Sequence, residues 1–122
     1  MALSKTVLPG RFGANFSTET VANNSASAIA ASSSTLFSVQ IDNTGNSANS
    51  FVKLYNLAAG STTVGSDDPF VILKAQASKK VTYHFNQGIA FSAAIALACV
   101  TTAGTAGSSS PSASVPVKLV YD

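Results

Sequence analysis

The sequence predicts an all-β protein: a single antiparallel β-sandwich, jelly-roll-like, with an extended N-terminal arm. Short runs of alternating apolar and polar residues recur from Leu36 onwards, and turn-forming clusters of Gly, Asn, Asp and Pro separate them at short, even spacing. No apolar pattern with the 3.6-residue period of a helix extends over a useful length. At 122 residues the chain has the size of one domain and is long enough to bury a core without disulfides or metals.

The N-terminal part differs in composition from the rest, and we divide the chain into an extended arm, residues 1–34, and a β-sandwich domain, residues 35–122. Bulky apolar residues are sparse in the arm, and such a segment builds little core by itself. We therefore expect it to be extended, with one or two weak strands at most. Phe12 and Phe16 favour an arm that orders against a neighbouring subunit over a floppy terminus, because a solvating tail rarely carries two phenylalanines.

The strand signals become firmer after residue 35. Alternation over residues 36–41 places Phe37, Val39 and Ile41 on one face, and a turn cluster follows at 42–46. We expect that face to be buried in the sandwich.

The middle of the chain predicts three more strands. Residues 51–57 carry bulk on both faces, which predicts a strand covered on both sides. After a loop at 59–69, the unbroken apolar run 70–73 predicts a short buried strand. Residues 81–85 then alternate cleanly and end in a predicted turn at 86–88.

The last third predicts one bent strand or two short ones at 89–102 and a terminal strand at 115–121. The Ala-rich stretch 93–98 resembles a helix in composition, but the Phe, Ile, Val and Thr residues around it favour a strand. A Gly/Ser/Pro loop, 104–112, precedes the terminal strand, whose clean alternation predicts pairing in a sheet.

Charged residues make up only 10% of the chain, against about 25% in average soluble proteins. The surface must therefore consist largely of Ser, Thr, Asn, Gly and Ala, which suits a protein packed into an assembly, although a stable domain without partners would also show it. The net charge is +2, and the basic residues are scattered, with only Lys79 and Lys80 adjacent. This disfavours direct nucleic-acid binding, which usually needs a clustered basic patch.

The sequence holds no residue set that supports catalysis, a cofactor or a metal site. His84 is the single histidine, and no G-x-S-x-G elbow surrounds any serine. Asp67 and Asp68 are the only adjacent acids, and Asp-Asp-Pro is far more often a turn than a catalytic pair, with Ca²⁺ binding a minor alternative. Cys99, the only cysteine, lies in an apolar run that predicts a buried, inert thiol. We predict a protein that is not an enzyme.

Neither a signal-peptide pattern nor a segment with the length of a transmembrane helix is present. We therefore expect no membrane partner and synthesis in a reducing cytosol.

Four short motifs resemble those of a group of small structural proteins of tailed bacteriophages. They are K-L-Y-N at 53–56, V-G-S-D-D-P at 64–69, G-I-A-F-S at 88–92 and V-T-T-A-G at 100–104. The resemblance covers roughly residues 51–104. It implies a β-sandwich virion component, above all a capsid decoration (cement) protein on the capsid surface, made in the host cytoplasm. It implies no catalytic residue.

The partners expected from the resemblance are the major capsid protein and sister copies of the chain. A trimer is favoured because it would match the local threefold positions of a capsid, where many modest contacts add through avidity. We expect the Ala-rich strand, with Ala94, Ala96 and Ala98, to pack against sister subunits. The arm, with Phe12 and Phe16, is expected to reach over adjacent capsid proteins.

Two alternatives stay open. A tail, baseplate or fibre component would use a similar sandwich to recognise a host surface. A carbohydrate-binding module would stack sugars on aromatic side chains, for which the chain offers Tyr55, Tyr83 and Tyr121 but no Trp. Two of these tyrosines occupy positions that predict a core-facing side chain.

Overall fold

The computed structural model describes residues 3–7 and 15–122, which form nine β-strands and one short 3-10 helix, Ala59–Ser61. The strands are β1 (Leu3–Val7), β2 (Asn15–Ala22), β3 (Ser27–Ala30), β4 (Ser34–Asp42), β5 (Ser50–Tyr55), β6 (Val71–Ala75), β7 (Lys80–Phe91), β8 (Ile95–Val100) and β9 (Val115–Tyr121). They build a five-stranded sheet, β1-β2-β9-β4-β7, and a four-stranded sheet, β3-β8-β5-β6. Every strand pairing is antiparallel, so the predicted all-β sandwich is confirmed.

The core lies between the two sheets and is built from alternating side chains. On β8 the inward residues are Ile95, Leu97 and Cys99, all fully or almost fully buried. β9 contributes Val115, Val117 and Leu119 in the same way, as its alternation predicts.

Strand β4 departs from simple alternation because it carries a β-bulge. Leu36 and Ser38 lie opposite consecutive residues of β9, so Phe37 between them has no partner there. The bulge puts Leu36, which is fully buried, on the core face with Val39 and Ile41. Phe37 is only half-buried, and the prediction that it shares the face of Val39 is wrong.

Two further sequence predictions change at the β6–β7 side of the sandwich. The turn expected at 86–88 is instead a wide irregularity inside β7, where residues 85–88 face the single residue Phe37 of β4. The apolar run 70–73 does not form a buried strand. β6 is an edge strand in which Leu73 is buried, whereas Phe70 just before it and Ile72 are 52% and 38% exposed.

Residues 15–34 belong to the sandwich rather than to an extended arm. β2 lies inside the five-stranded sheet, between β1 and β9, and β3 forms one edge of the four-stranded sheet. The buried positions of β2 are Ser17, Glu19 and Ala22, so the strand lacks the apolar alternation from which burial is predicted. Residues 1–2 and 8–14, which include Phe12, lie outside the described residues.

Hydrogen bonds hold β2 where apolar contacts are missing. A carboxylate oxygen of Glu19 accepts a hydrogen bond of 2.7 Å from the Ser27 hydroxyl. The Ser17 hydroxyl donates to Tyr121 Oη over 3.2 Å, and that hydroxyl donates to the backbone carbonyl of Ile29 over 2.9 Å. These bonds join the two sheets along the β2–β3 side, so buried polar groups are satisfied there.

Candidate functional site

The two outer faces of the sandwich differ: among residues 3–7 and 15–122, loops cover the outer face of the four-stranded sheet and leave that of the five-stranded sheet exposed. Tyr55, Ala96 and Ala98 form a second buried cluster on the outside of that sheet. Leu57 and Val64, from the loop between β5 and β6, pack against this cluster. The prediction that the strand at 51–57 is covered on both sides is therefore confirmed for β5.

The loop between β8 and β9 covers Lys53 on the same face. Lys53 is fully buried, and its Nζ donates to the backbone carbonyls of Thr105 at 3.3 Å and Gly107 at 2.6 Å. Burial lowers the pKa of the Lys53 ammonium group, because the charged form loses its hydration. Carbonyl dipoles compensate part of that loss.

The K-L-Y-N motif is a structural part of this covered face. Lys53 and Tyr55 are buried under the loops, as described, and Asn56 holds the turn between β7 and β8. Its Oδ1 accepts from the N–H groups of Ala93 at 2.8 Å and Ala94 at 3.3 Å.

The acidic pair of the V-G-S-D-D-P motif fixes loops rather than facing a cleft. Asp67 Oδ2 accepts from the N–H of Thr63 at 2.7 Å, which closes the loop on itself. Asp68 Oδ1 accepts from the Thr105 hydroxyl at 2.7 Å, which ties this loop to the loop that covers Lys53. The structure assigns both carboxylates to loop packing and does not bring them together with His84, which lies on the opposite sheet.

His84 and Cys99 lie on different sheets and are not brought together. His84 is exposed and lies opposite Ser38 on the five-stranded sheet. Cys99 is fully buried, and burial raises the pKa of its thiol to about 12. Within residues 3–7 and 15–122, no three His, Cys, Asp or Glu side chains are grouped so that they could hold a metal ion.

The three alanines predicted to contact sister subunits have no free surface in this fold. Ala94, Ala96 and Ala98 are 2%, 0% and 0% exposed, the last two beneath the β5–β6 loop. Small side chains at these positions allow the chain's own loop to lie close to the sheet. Of the two phenylalanines, Phe16 is half-buried on β2, and Phe12 lies outside the described residues.

The outer face of the five-stranded sheet, called the open face below, is exposed, in contrast to the loop-covered face of the four-stranded sheet. One row of register partners crosses all five strands, and it consists of Thr6, Phe16, Val120, Ser38 and His84. The next row consists of Ser4, Thr18, Lys118, Gln40 and Thr82. All ten residues are exposed or half-exposed, and only Lys118 carries a formal charge. The open face is therefore a broad, nearly neutral surface.

The tyrosines offer little surface for stacking against a sugar. Tyr55 and Tyr121 are 0% and 6% exposed. Tyr83 is half-buried and its hydroxyl donates to the backbone carbonyl of Lys74 at 2.5 Å. Among the Phe and Tyr side chains of residues 15–122, Phe70 has the exposed ring, and it packs edge-on against Phe91 with 5.0 Å between ring centroids. Sugar stacking on Tyr55 would require the covering loop to leave.

No family model matches the chain, and no curated protein matches its sequence. A solved structure from Bacillus endospore appendages, described as a novel family of disulfide-linked pili, is similar over 98% of this chain and 86% of its own. The two share 9% sequence identity with a TM-score of 0.37, and a likeness of that degree carries no argument about function. In the part of the chain that the structure describes, no helix is long and apolar enough to cross a membrane.

Proposed function

We propose that this chain is a bacteriophage virion structural protein, a capsid decoration (cement) protein that binds the outer capsid surface and stabilises contacts between major capsid subunits. The observation that carries the proposal is the open face, with a single formal charge in its two central rows. Few ions must be desolvated when such a face is covered, so it suits close contact with another protein surface. The motifs that resemble phage proteins support the proposal independently.

The size of the open face favours binding through several copies. Five strands spaced at ~4.8 Å, and about five residues along each, give roughly 19 Å by 17 Å, or about 300 Å². A stable protein–protein interface of standard size buries about 800 Å² per partner. One face is therefore too small for tight binding, whereas three faces in a trimer together offer about 900 Å², slightly more than that area. Avidity would then supply the affinity that one copy lacks.

Light scattering on the purified protein, followed by co-pelleting with undecorated phage capsids, tests the proposal. We expect a stable trimer that pellets at near-stoichiometric occupancy. The variant Gln40→Glu places a charge in the centre of the open face and should reduce occupancy. Ser61→Glu, on the exposed 3-10 helix over the other sheet, is the matched control and should pellet like the wild type.

A monomer that ignores capsids would contradict the cement proposal. If the two variants pellet equally, the open face is not the surface that binds the capsid. A tail, baseplate or fibre role is the alternative within virion proteins, and the copy number per particle separates it from cement, because cement proteins occur in far more copies.

A further inference from the structure

Three lysines come together around the turn between β6 and β7. Lys74, Lys79 and Lys80 line one groove of about 350 Å³, together with Gln76, Val81 and Tyr83. Three of the chain's seven cationic side chains thus surround a single depression, called the lysine groove below. The groove lies at the β6–β7 side of the sandwich and is distinct from the two central rows of the open face.

The positive charge of the lysine groove is only partly neutralised. Lys80 Nζ lies 3.8 Å from the carboxylate of Asp42, and the two side chains are 53% and 29% exposed. Neither Lys74 nor Lys79 forms an ion pair with a carboxylate of the described residues. Two ammonium groups are therefore available to an external anion.

Buried asparagines hold the turn that carries these lysines. The Asn43 side-chain amide donates to the carbonyl of Gln76 at 3.0 Å, and its backbone N–H donates to the carbonyl of Lys79 at 2.9 Å. The carbonyl of Asn46 accepts from the N–H of Ser78 at 2.9 Å. Ser78 has a φ of +59°, a left-handed conformation that side chains rarely adopt. Strained residues held by their surroundings occur preferentially at functional sites.

We propose that the lysine groove binds a carboxylate-rich segment of a protein partner. Ammonium groups on flexible stems suit single carboxylates, and a turn fixed before binding lowers the entropy lost on association. A groove of this volume accommodates one or two side chains of an extended segment. Nucleic acid is a poorer match, because affinity for it depends on the number of phosphates neutralised and three lysines neutralise few. This inference goes beyond the cement proposal and does not depend on it.

Nuclear magnetic resonance titration of the ¹⁵N-labelled protein tests the inference directly. Hexaglutamate is the ligand, and hexaglutamine is its neutral match. We expect hexaglutamate to shift the amide resonances of residues 74–83 and hexaglutamine to leave them unchanged. The shifts should disappear between 0.1 M and 1 M salt, over which the Debye length falls from about 10 Å to about 3 Å.

Variants that change the charge of the lysine groove should change the affinity for hexaglutamate by predictable factors. The triple change Lys74→Gln, Lys79→Gln and Lys80→Gln should weaken hexaglutamate binding roughly tenfold, as three exposed charge contacts are lost. Asp42→Asn should strengthen binding roughly two- to fivefold, because it releases Lys80 from its carboxylate. The asparagine keeps the Oδ1 that accepts from Thr44, so the turn is retained.

The matched single variants are Lys79→Gln and Lys5→Gln, both at exposed lysines. Only Lys79→Gln should weaken binding. Equal binding by the triple variant, or shifts confined to residues outside 42–46 and 74–83, would overturn the groove as the site. Tighter binding of inorganic phosphate or oligothymidylate than of hexaglutamate would overturn the assignment to a carboxylate-rich segment. Capsid pelleting by the wild type and Gln40→Glu tests the cement proposal, and hexaglutamate titration tests the lysine groove. Either proposal can therefore be contradicted while the other stands.

Discussion

The Nζ of Lys53 donates a 2.6 Å hydrogen bond to the carbonyl of Gly107, so a fully buried ammonium group rests on a peptide dipole of the loop that covers it. Gly107 is required for this contact, since a Cβ at its position would lie 2.1 Å from the backbone oxygen of Thr102. The loop and the lysine are therefore interdependent: the close approach of the backbone at Gly107 gives Lys53 its acceptor, and Lys53 holds the loop over the sheet.

The variant Gly107→Ala should lower the free energy of unfolding by about 2 kcal/mol or more, because the backbone at Thr102 must move to admit the new Cβ. Gly60→Ala is the matched control, with no atom within 4 Å of the added Cβ, and should change stability by less than about 0.5 kcal/mol. Urea denaturation measures both. A double-mutant cycle with Lys53→Met should show a non-additive energy, and additivity would show that loop and lysine are independent.

The lowered pKa of Lys53 gives the stability a pH dependence of definite sign. Below its ordinary value of 10.5, the unfolded chain holds this proton more tightly than the folded chain does. Stability attributable to Lys53 must therefore rise with pH across the window between the lowered pKa and 10.5. We expect the difference in unfolding free energy between the wild type and Lys53→Met to rise in that window.

Lys74→Met, which removes an exposed ammonium group, controls for the loss of one positive charge. A wild-type minus Lys53→Met difference that stays constant from neutral pH to pH 10.5 would contradict the assigned direction. Lys53→Met itself should lower the free energy of unfolding by about 1–3 kcal/mol at neutral pH, because the carbonyls of Thr105 and Gly107 lose their donor.

Tyr55 presents a buried hydroxyl for which the described residues provide no hydrogen-bond partner. Such a group costs about 1–3 kcal/mol relative to a satisfied one, so Tyr55→Phe should raise the free energy of unfolding by about 1 kcal/mol. Tyr121→Phe is the matched change at a hydroxyl with two partners, Ser17 and Ile29, and should lower stability by about 1–3 kcal/mol. Chemical denaturation of both variants is the measurement. A loss of stability in Tyr55→Phe would mean that this hydroxyl is hydrogen-bonded in solution.

The sequence predicted the fold class well because most core strands alternate in the ordinary way. β9 and β5 follow their predicted patterns, since their buried positions carry large apolar side chains or, at Lys53, a long stem. The sequence predicts an arm where β2 and β3 lie, because polar residues occupy core positions there. A buried Glu19 with a hydrogen-bonded Ser27 leaves no hydrophobic pattern, and only the folded arrangement shows that these groups satisfy each other.

The lysine groove and the surroundings of the Ala-rich strand depend on contacts that cannot be predicted from the spacing of residues in the sequence. The lysine groove needs the left-handed turn at Ser78 to bring Lys74 beside Lys79 and Lys80. The sequence predicts that the Ala-rich strand packs against sister subunits. In the fold, Ala96 and Ala98 lie instead against the chain's own loop at Val64. A pattern of small side chains shows that something packs closely and does not identify what it is.

The Cys99 thiol should make stability fall as pH rises above 9, opposite in sign to the contribution of Lys53. Burial raises the pKa of Cys99 from 9.0 to about 12, so the folded chain keeps a proton that the unfolded chain releases above pH 9. The free energy of unfolding attributable to this group must then fall by up to about 1.4 kcal/mol per pH unit as pH rises from 9. Cys99→Ala removes that slope and adds a pH-independent loss of about 1–2 kcal/mol for the small cavity. Urea denaturation between pH 7 and 10 should therefore show the two stability curves converging above pH 9. Parallel curves would mean that the thiol ionises equally in the folded and the unfolded chain. That outcome would contradict the burial of Cys99 in the fold.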